Sequence, residues 1–138
     1  MKKHLISSYG IVALLLAIMS MGCSRNEVEL GSVSGRVTLD GQPLSGIFII
    51  FQPQKGRPAL AILDKDGKFT LQYNVNHAGA IVGKQEVYLK SPLSDQLDEV
   101  HKMGINEPST FPKKYEQVFE SLEVKSGRNF FNLDLKSS

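Results

Sequence analysis

The chain has 138 residues, 41% hydrophobic and 22% charged, with 12 Gly, 6 Pro, one Cys and no Trp. That length and balance fit one packed domain and exclude a large multidomain enzyme, wholesale disorder, a collagen-like repeat and a bundle of membrane spans. One cysteine excludes an internal disulfide and a Cys-rich zinc site. Of the 16 Lys and Arg, Lys2 and Lys3 fall in the leader described next, and the rest balance the 14 Asp and Glu. No basic excess remains to neutralise phosphates, so the sequence gives no basis for a nucleic-acid partner.

Residues 1–22 read as an export signal, with Lys2 and Lys3 as the charged start and Ile11 to Met19 as the apolar stretch. Nine apolar residues flanked by Ser7, Ser8 and Ser20 are too few to cross a bilayer, which takes roughly 20. The stretch closes on Ser20-Met21-Gly22-Cys23, which resembles a bacterial lipoprotein signal: a small residue before a Cys that is acylated on sulfur and becomes the new N-terminus. Ser20 departs from the aliphatic residue usual three positions before that Cys. Cys23 is thus the expected lipid attachment site, and membrane lipid the expected first partner. Ser24 follows it, so the Asp that commonly signals inner-membrane retention is absent. The alternative is an ordinary cleaved signal with an incidental Cys. Residues 23–31 form a polar tether and residues 32–138 the domain.

From Ser32 the chain alternates: Val33, Gly35, Val37 and Leu39 against Ser34, Arg36, Thr38 and Asp40, the period of a half-buried strand. Asp40-Gly41 supplies a turn. Ile47 to Phe51 is a continuous apolar run, as expected of a strand covered on both faces or central in its sheet, and Pro53 ends it. Ala59 to Leu63 is a third strand, and Asp64-Lys65-Asp66-Gly67 a tight turn. Phe69, Leu71 and Tyr73 alternate with polar residues in a fourth. A fifth covers Gln85 to Lys90, with Val87 and Leu89 inward. Residues 91–115 are irregular; within them Ser94 is the expected N-cap of a short helix carrying Leu97 and Val100 and ended by Gly104. The alternative for that stretch is a solvated connector between sheets. A last hairpin sets Leu122 and Val124 against Phe131, Leu133 and Leu135 across Ser126-Gly127. Seven or so short strands without a long helix predict an all-β fold, an antiparallel seven-stranded sandwich.

Val33-Ser34-Gly35-Arg36-Val37-Thr38-Leu39-Asp40-Gly41-Gln42-Pro43-Leu44-Ser45-Gly46 resembles the opening of carboxypeptidase-regulatory-like, transthyretin-like domains. Asp64 to Phe69 is similar to that family's DxDGxF turn, and Phe111-Pro112-Lys113-Lys114-Tyr115 to a segment of planctomycete-type lipoproteins. Val124, Gly127, Asn129 and Phe131 fit its closing pattern, whereas Val82-Gly83-Lys84-Gln85-Glu86-Val87 lacks the family's Pro and Tyr. The resemblance implies a prealbumin-like sandwich exported to the cell membrane or outer membrane, facing periplasm or cell surface. It also implies a non-enzymatic envelope accessory module, and it carries over no catalytic residue.

Chemistry has little to stand on in the sequence. Asp64 and Asp66 resemble the start of a cation loop, but an EF-hand pattern would need a Glu where Val75 stands, so a plain turn is expected, with no metal and no cofactor. His77 and His101 have no metal-ligand spacing. Asp98, Glu99 and His101 cluster without a nucleophile, since there is no G-x-S-x-G elbow. A transthyretin-like hydrolase would end in Tyr-Arg-Gly-Ser, whereas this chain ends Leu133-Asp134-Leu135-Lys136-Ser137-Ser138. A surface for glycan or peptide would use Tyr88, Phe111 and Tyr115. The expected partner beyond lipid is therefore an envelope protein or a glycan.

Overall fold

The computed structural model describes Gly22 and residues 27–138. Cys23, the signal up to Met21 and tether residues 23–26 lie outside the described residues. Within them the chain is an all-β sandwich of two sheets, built from eleven short strands rather than seven.

The first sheet is organised around β1 (Leu30–Leu39). Its alternation puts Val33 and Val37 at zero exposure while Ser32 and Arg36 face water. One edge of β1 pairs with β11 (Arg128–Leu135), from Ser32 opposite Arg128 to Leu39 opposite Leu135. The other edge is shared by three short antiparallel partners: β8 (Ala80–Ile81), β5 (Lys68–Thr70) and β2 (Gln42–Pro43). The turn into β2 uses Asp40 and Gly41 at φ 50° and 83°, both left-handed, as a two-residue hairpin with the right twist requires.

The second sheet runs β10 (Glu120–Val124), β9 (Gly83–Lys90), β3 (Phe48–Pro53), β4 (Ala59–Ile62), β6 (Gln72–Asn74), β7 (His77–Ala78), all antiparallel. Between the layers Phe51, fully buried, packs on Phe69 and Phe131 at centroid distances of 6.2 and 6.0 Å. Ile49, Leu63, Leu71, Val87, Leu89 and Val124 complete that core at zero exposure.

Three features depart from the sequence reading. β1 and β11 pair parallel, the single parallel ladder in an otherwise antiparallel fold. The expected fourth strand is cut in two at Leu71, because β5 pairs in the first sheet and β6 in the second. And β10 and β11 are not a hairpin: β10 pairs with β9 while β11 pairs with β1. Val124 and Leu133 still share the core, because the two strands form an arch from one sheet to the other.

The sandwich has two distinct ends. The tether enters at one, where Leu30 pairs with Ile81, Val82 N–H donates to the Glu29 carbonyl at 3.0 Å and Ser32 N–H to the Gly127 carbonyl at 2.8 Å. At the other lie the Asp40-Gly41 and Asp64–Gly67 turns and the excursion of residues 91–119. This long excursion joins the adjacent strands β9 and β10, so it does not cross between sheets. It includes a 3-10 turn, Ser94–Gln96, and one short helix, α1 (Leu97–Lys102). Ser94 is not the cap; the Gln96 side chain accepts the Leu93 N–H at 2.8 Å instead. Val100 and Ile105 are buried against the Gly46 turn, and Ser109 donates its N–H to the Ser45 carbonyl at 2.8 Å.

Candidate functional site

The residues singled out for chemistry are engaged locally. Asp64 accepts the Asp66 and Lys68 N–H groups on one oxygen, at 2.8 and 2.9 Å, and its carbonyl accepts the Gly67 N–H, which closes the turn. His77 Nδ1 lies 3.0 Å from Asn74 Oδ1. His101 Nε2 lies 3.2 Å from the Asn106 carbonyl, while Glu99 takes Lys102 at 2.7 Å, so the Asp98, Glu99 and His101 cluster is not assembled into a pair. Among the described residues no group of three His, Cys, Asp or Glu is placed to hold a metal. No helix among them is long and apolar enough to cross a membrane.

The aromatic candidates separate. Tyr115 is buried and therefore not a ligand platform: its hydroxyl donates to the Lys136 carbonyl at 2.5 Å and accepts the Lys136 N–H at 2.9 Å, tying the chain end down. Phe111 is half-buried against the core. Tyr88 alone of the three belongs to an open surface. The sequence reading missed Phe130, which is 66% exposed on the outer face of the first sheet, in register with Ser34.

That surface is the outer face of the six-stranded sheet. Period-2 geometry sends Ile49 and Phe51 into the core and Phe48 and Ile50 to the opposite face. Ile50 is in register with Tyr88 on β9 and with Leu60 on β4, and Phe48 is in register with Lys90 and Ile62. Phe48, Ile50, Leu60, Ile62 and Tyr88 therefore form one apolar field across three central strands, on the face opposite the core. Exposure is uneven across it: Ile50 is buried at 8%, Phe48, Ile62 and Tyr88 are half-buried, and Leu60 is 41% exposed. A sandwich face turned to water is ordinarily polar, so this field is the unusual feature of the molecule. Beside it Ile50, Tyr88, Lys90, Ser91 and Glu116 line a groove of about 450 Å³, with one cation and one carboxylate at its rim. The continuous run Ile47 to Phe51 was the signal for it: the run reflects a central strand whose second face is also apolar.

No family model matches the chain, and no curated protein does. A solved structure that it resembles is the crystal structure of a DUF3823 family protein from Parabacteroides merdae, at 17% identity and a TM-score of 0.49, over 78% of this chain and 46% of that one. The chain spans less than half the length of that protein.

Proposed function

We propose that the protein is a lipid-anchored, non-enzymatic module of the cell envelope, held by Cys23 and binding an envelope protein through the apolar outer face of its six-stranded sheet. The anchor rests on the signal and Gly22-Cys23, and the carboxypeptidase-regulatory-like lipoprotein resemblance is of the same kind. The observation that carries the binding role is the field of Phe48, Ile50, Leu60, Ile62 and Tyr88. Its partner presents a complementary apolar surface with charges to meet Lys90 and Glu116. Two experiments test this reading. Cys23→Ser should move the protein from the membrane to the soluble fraction. A photo-crosslinker replacing Leu60 in the intact envelope should give a discrete protein adduct that the same group at Asp95 does not, and equal labelling from both positions would reject the sheet face.

A glycan-binding reading has one observation in its favour. Phe130 stands on a polar sheet face, flanked in register by Ser34, with Arg36 opposite Asn132 one step along. An exposed aromatic among hydrogen-bonding side chains suits stacking on a sugar ring. Glycan capture lost on Phe130→Ala but kept on Leu60→Asp would favour this alternative.

A further inference from the structure

The tether end differs from the rest of the surface in apolar exposure, in charge and in its distance from Cys23. The β6–β7 hairpin ends there in Asn74-Val75-Asn76. Asn74 Oδ1 accepts the Asn76 N–H at 2.9 Å, which fixes the tip and leaves Val75 97% exposed, the most exposed large apolar residue described. Tyr73 joins this tip to the tether, because it lines one groove with Val28 and Leu30 and another with Leu60, Val75 and Arg57. Val28 is itself 49% exposed.

The charge balance shifts along the same axis: cations outnumber carboxylates at this end, whereas among the other described residues eight Lys and Arg stand against eleven Asp and Glu. Around this end stand Lys55, Arg57, Lys84, Lys125 and Arg128, all exposed, against Glu27, Glu29 and Glu123. Every aspartate lies elsewhere: Asp40, Asp64 and Asp66 in the far-end turns, Asp95 and Asp98 in the excursion above them, and Asp134 bonded to Thr38 near the end of β1. Glu27 is four residues from Cys23, and a chain spans at most about 3.6 Å per residue, so the two lie within about 15 Å of each other.

From these observations we propose that the tether end is a membrane-facing surface: Val75, Tyr73 and Val28 enter the headgroup region of an anionic bilayer, and Lys55, Arg57 and their neighbours meet its phosphates. The sandwich then stands upright on the bilayer with its turn-rich end outward, and the apolar sheet face points sideways, open to a partner. This inference rests on the anchoring by Cys23. A lipid surface fits as occupant because the covalent anchor already brings it within reach, and because an exposed apolar tip with Arg57 beside it and a cationic excess at the same end is the pattern by which proteins lie at an interface.

The test uses the full-length lipidated protein in vesicles of phosphatidylcholine with phosphatidylglycerol, after flotation. A fluorophore is attached at Val75→Cys, where near-complete exposure makes the substitution harmless to folding, and separately at Asp95→Cys on the far end. Lipid-borne nitroxides should quench position 75 at least about fivefold more strongly than position 95, since an interfacial element sits about 5–10 Å deep. Lys55→Glu with Arg57→Glu should reduce that difference. Equal, weak quenching at both positions in floated protein would overturn the orientation while leaving the anchor standing. Failure of the unlabelled protein to float would remove the anchor, and this inference with it.

Discussion

At Gly67 two requirements meet in one residue. Its φ of 73° is left-handed, and a Cβ there would overlap the Val37 carbonyl oxygen, while the Gly67 carbonyl accepts the Val37 N–H at 2.8 Å. Gly67→Val should therefore cost about 2–4 kcal/mol, combining strain and displacement, and urea unfolding measures it. Asp66→Ala loses no side-chain bond of the turn and should cost less than about 0.5 kcal/mol. Tyr115 is the second residue on which much depends: Tyr115→Phe breaks both bonds to Lys136 inside a closed site, at about 1–3 kcal/mol, again read by urea unfolding. Next to that clasp, Asp40 is held below its ordinary pKa of 3.8 by hydrogen bonding from Ser137, with Lys136 and Lys114 adding attraction. A depressed carboxylate contributes stability above its unfolded pKa and loses it as pH falls through the lower folded value. Asp40→Asn should thus lower stability at neutral pH and flatten the acid side of the profile, the two proteins converging as pH falls below about 4. A melting series of both proteins from about pH 2 to about pH 7 reads this.

Among the elements, the excursion over residues 91–119 shows how a marginal helix is held. α1 has six residues, too few to persist alone in water, where about 12 or more are needed. It stays because Val100, at zero exposure, and Ile105, at 4%, close over the Gly46 turn, and because Ser109 fastens to Ser45 at its far side. Val100→Ala should cost about 1–3 kcal/mol, whereas a solvated connector would tolerate the change within about 0.5 kcal/mol. A calorimetric melt of the two proteins separates the outcomes. Excising residues 96–106 would uncover the same seat, so the melting temperature should fall rather than stay near that of the intact protein.

On the scale of the whole molecule, the fold is closed by its two most distant strands. β11 lies parallel to β1 along eight residue pairs, from Ser32 and Arg128 to Leu39 and Leu135, and brings Phe131, Leu133 and Leu135 to the core. No local turn can set that pairing, so its loop-closure entropy must be met before any contact rewards it. Ending the chain before Arg128 should therefore abolish cooperative unfolding, and folding of the intact domain should be slow, on the order of milliseconds to seconds. Circular dichroism of the truncated chain and stopped-flow refolding of the full one check both. The sandwich so closed leaves its two outer faces unlike: one polar with Phe130 standing alone, the other apolar from Phe48 to Leu60.

Local patterns were enough for most strands. The alternation in Val33 to Leu39, the Asp40-Gly41 hairpin and the Asp64–Gly67 turn depend on neighbours in the chain, and so did the all-β class. The proposed lipid site at Cys23 rests on the sequence alone. Partnership between strands was not legible. A period of two says which side chains share a face and nothing of which strand lies alongside, so Leu122 and Val124 looked like one arm of a hairpin whose other arm belongs to the opposite sheet. Likewise the run Ile47 to Phe51 records that both faces of β3 are apolar, but whether a second layer covers the outer one depends on where every other element packs. Only the tertiary structure could bring Ile50, Leu60 and Tyr88 together on one face, because what fixes a surface is the set of distant segments that come to rest beside it and elsewhere.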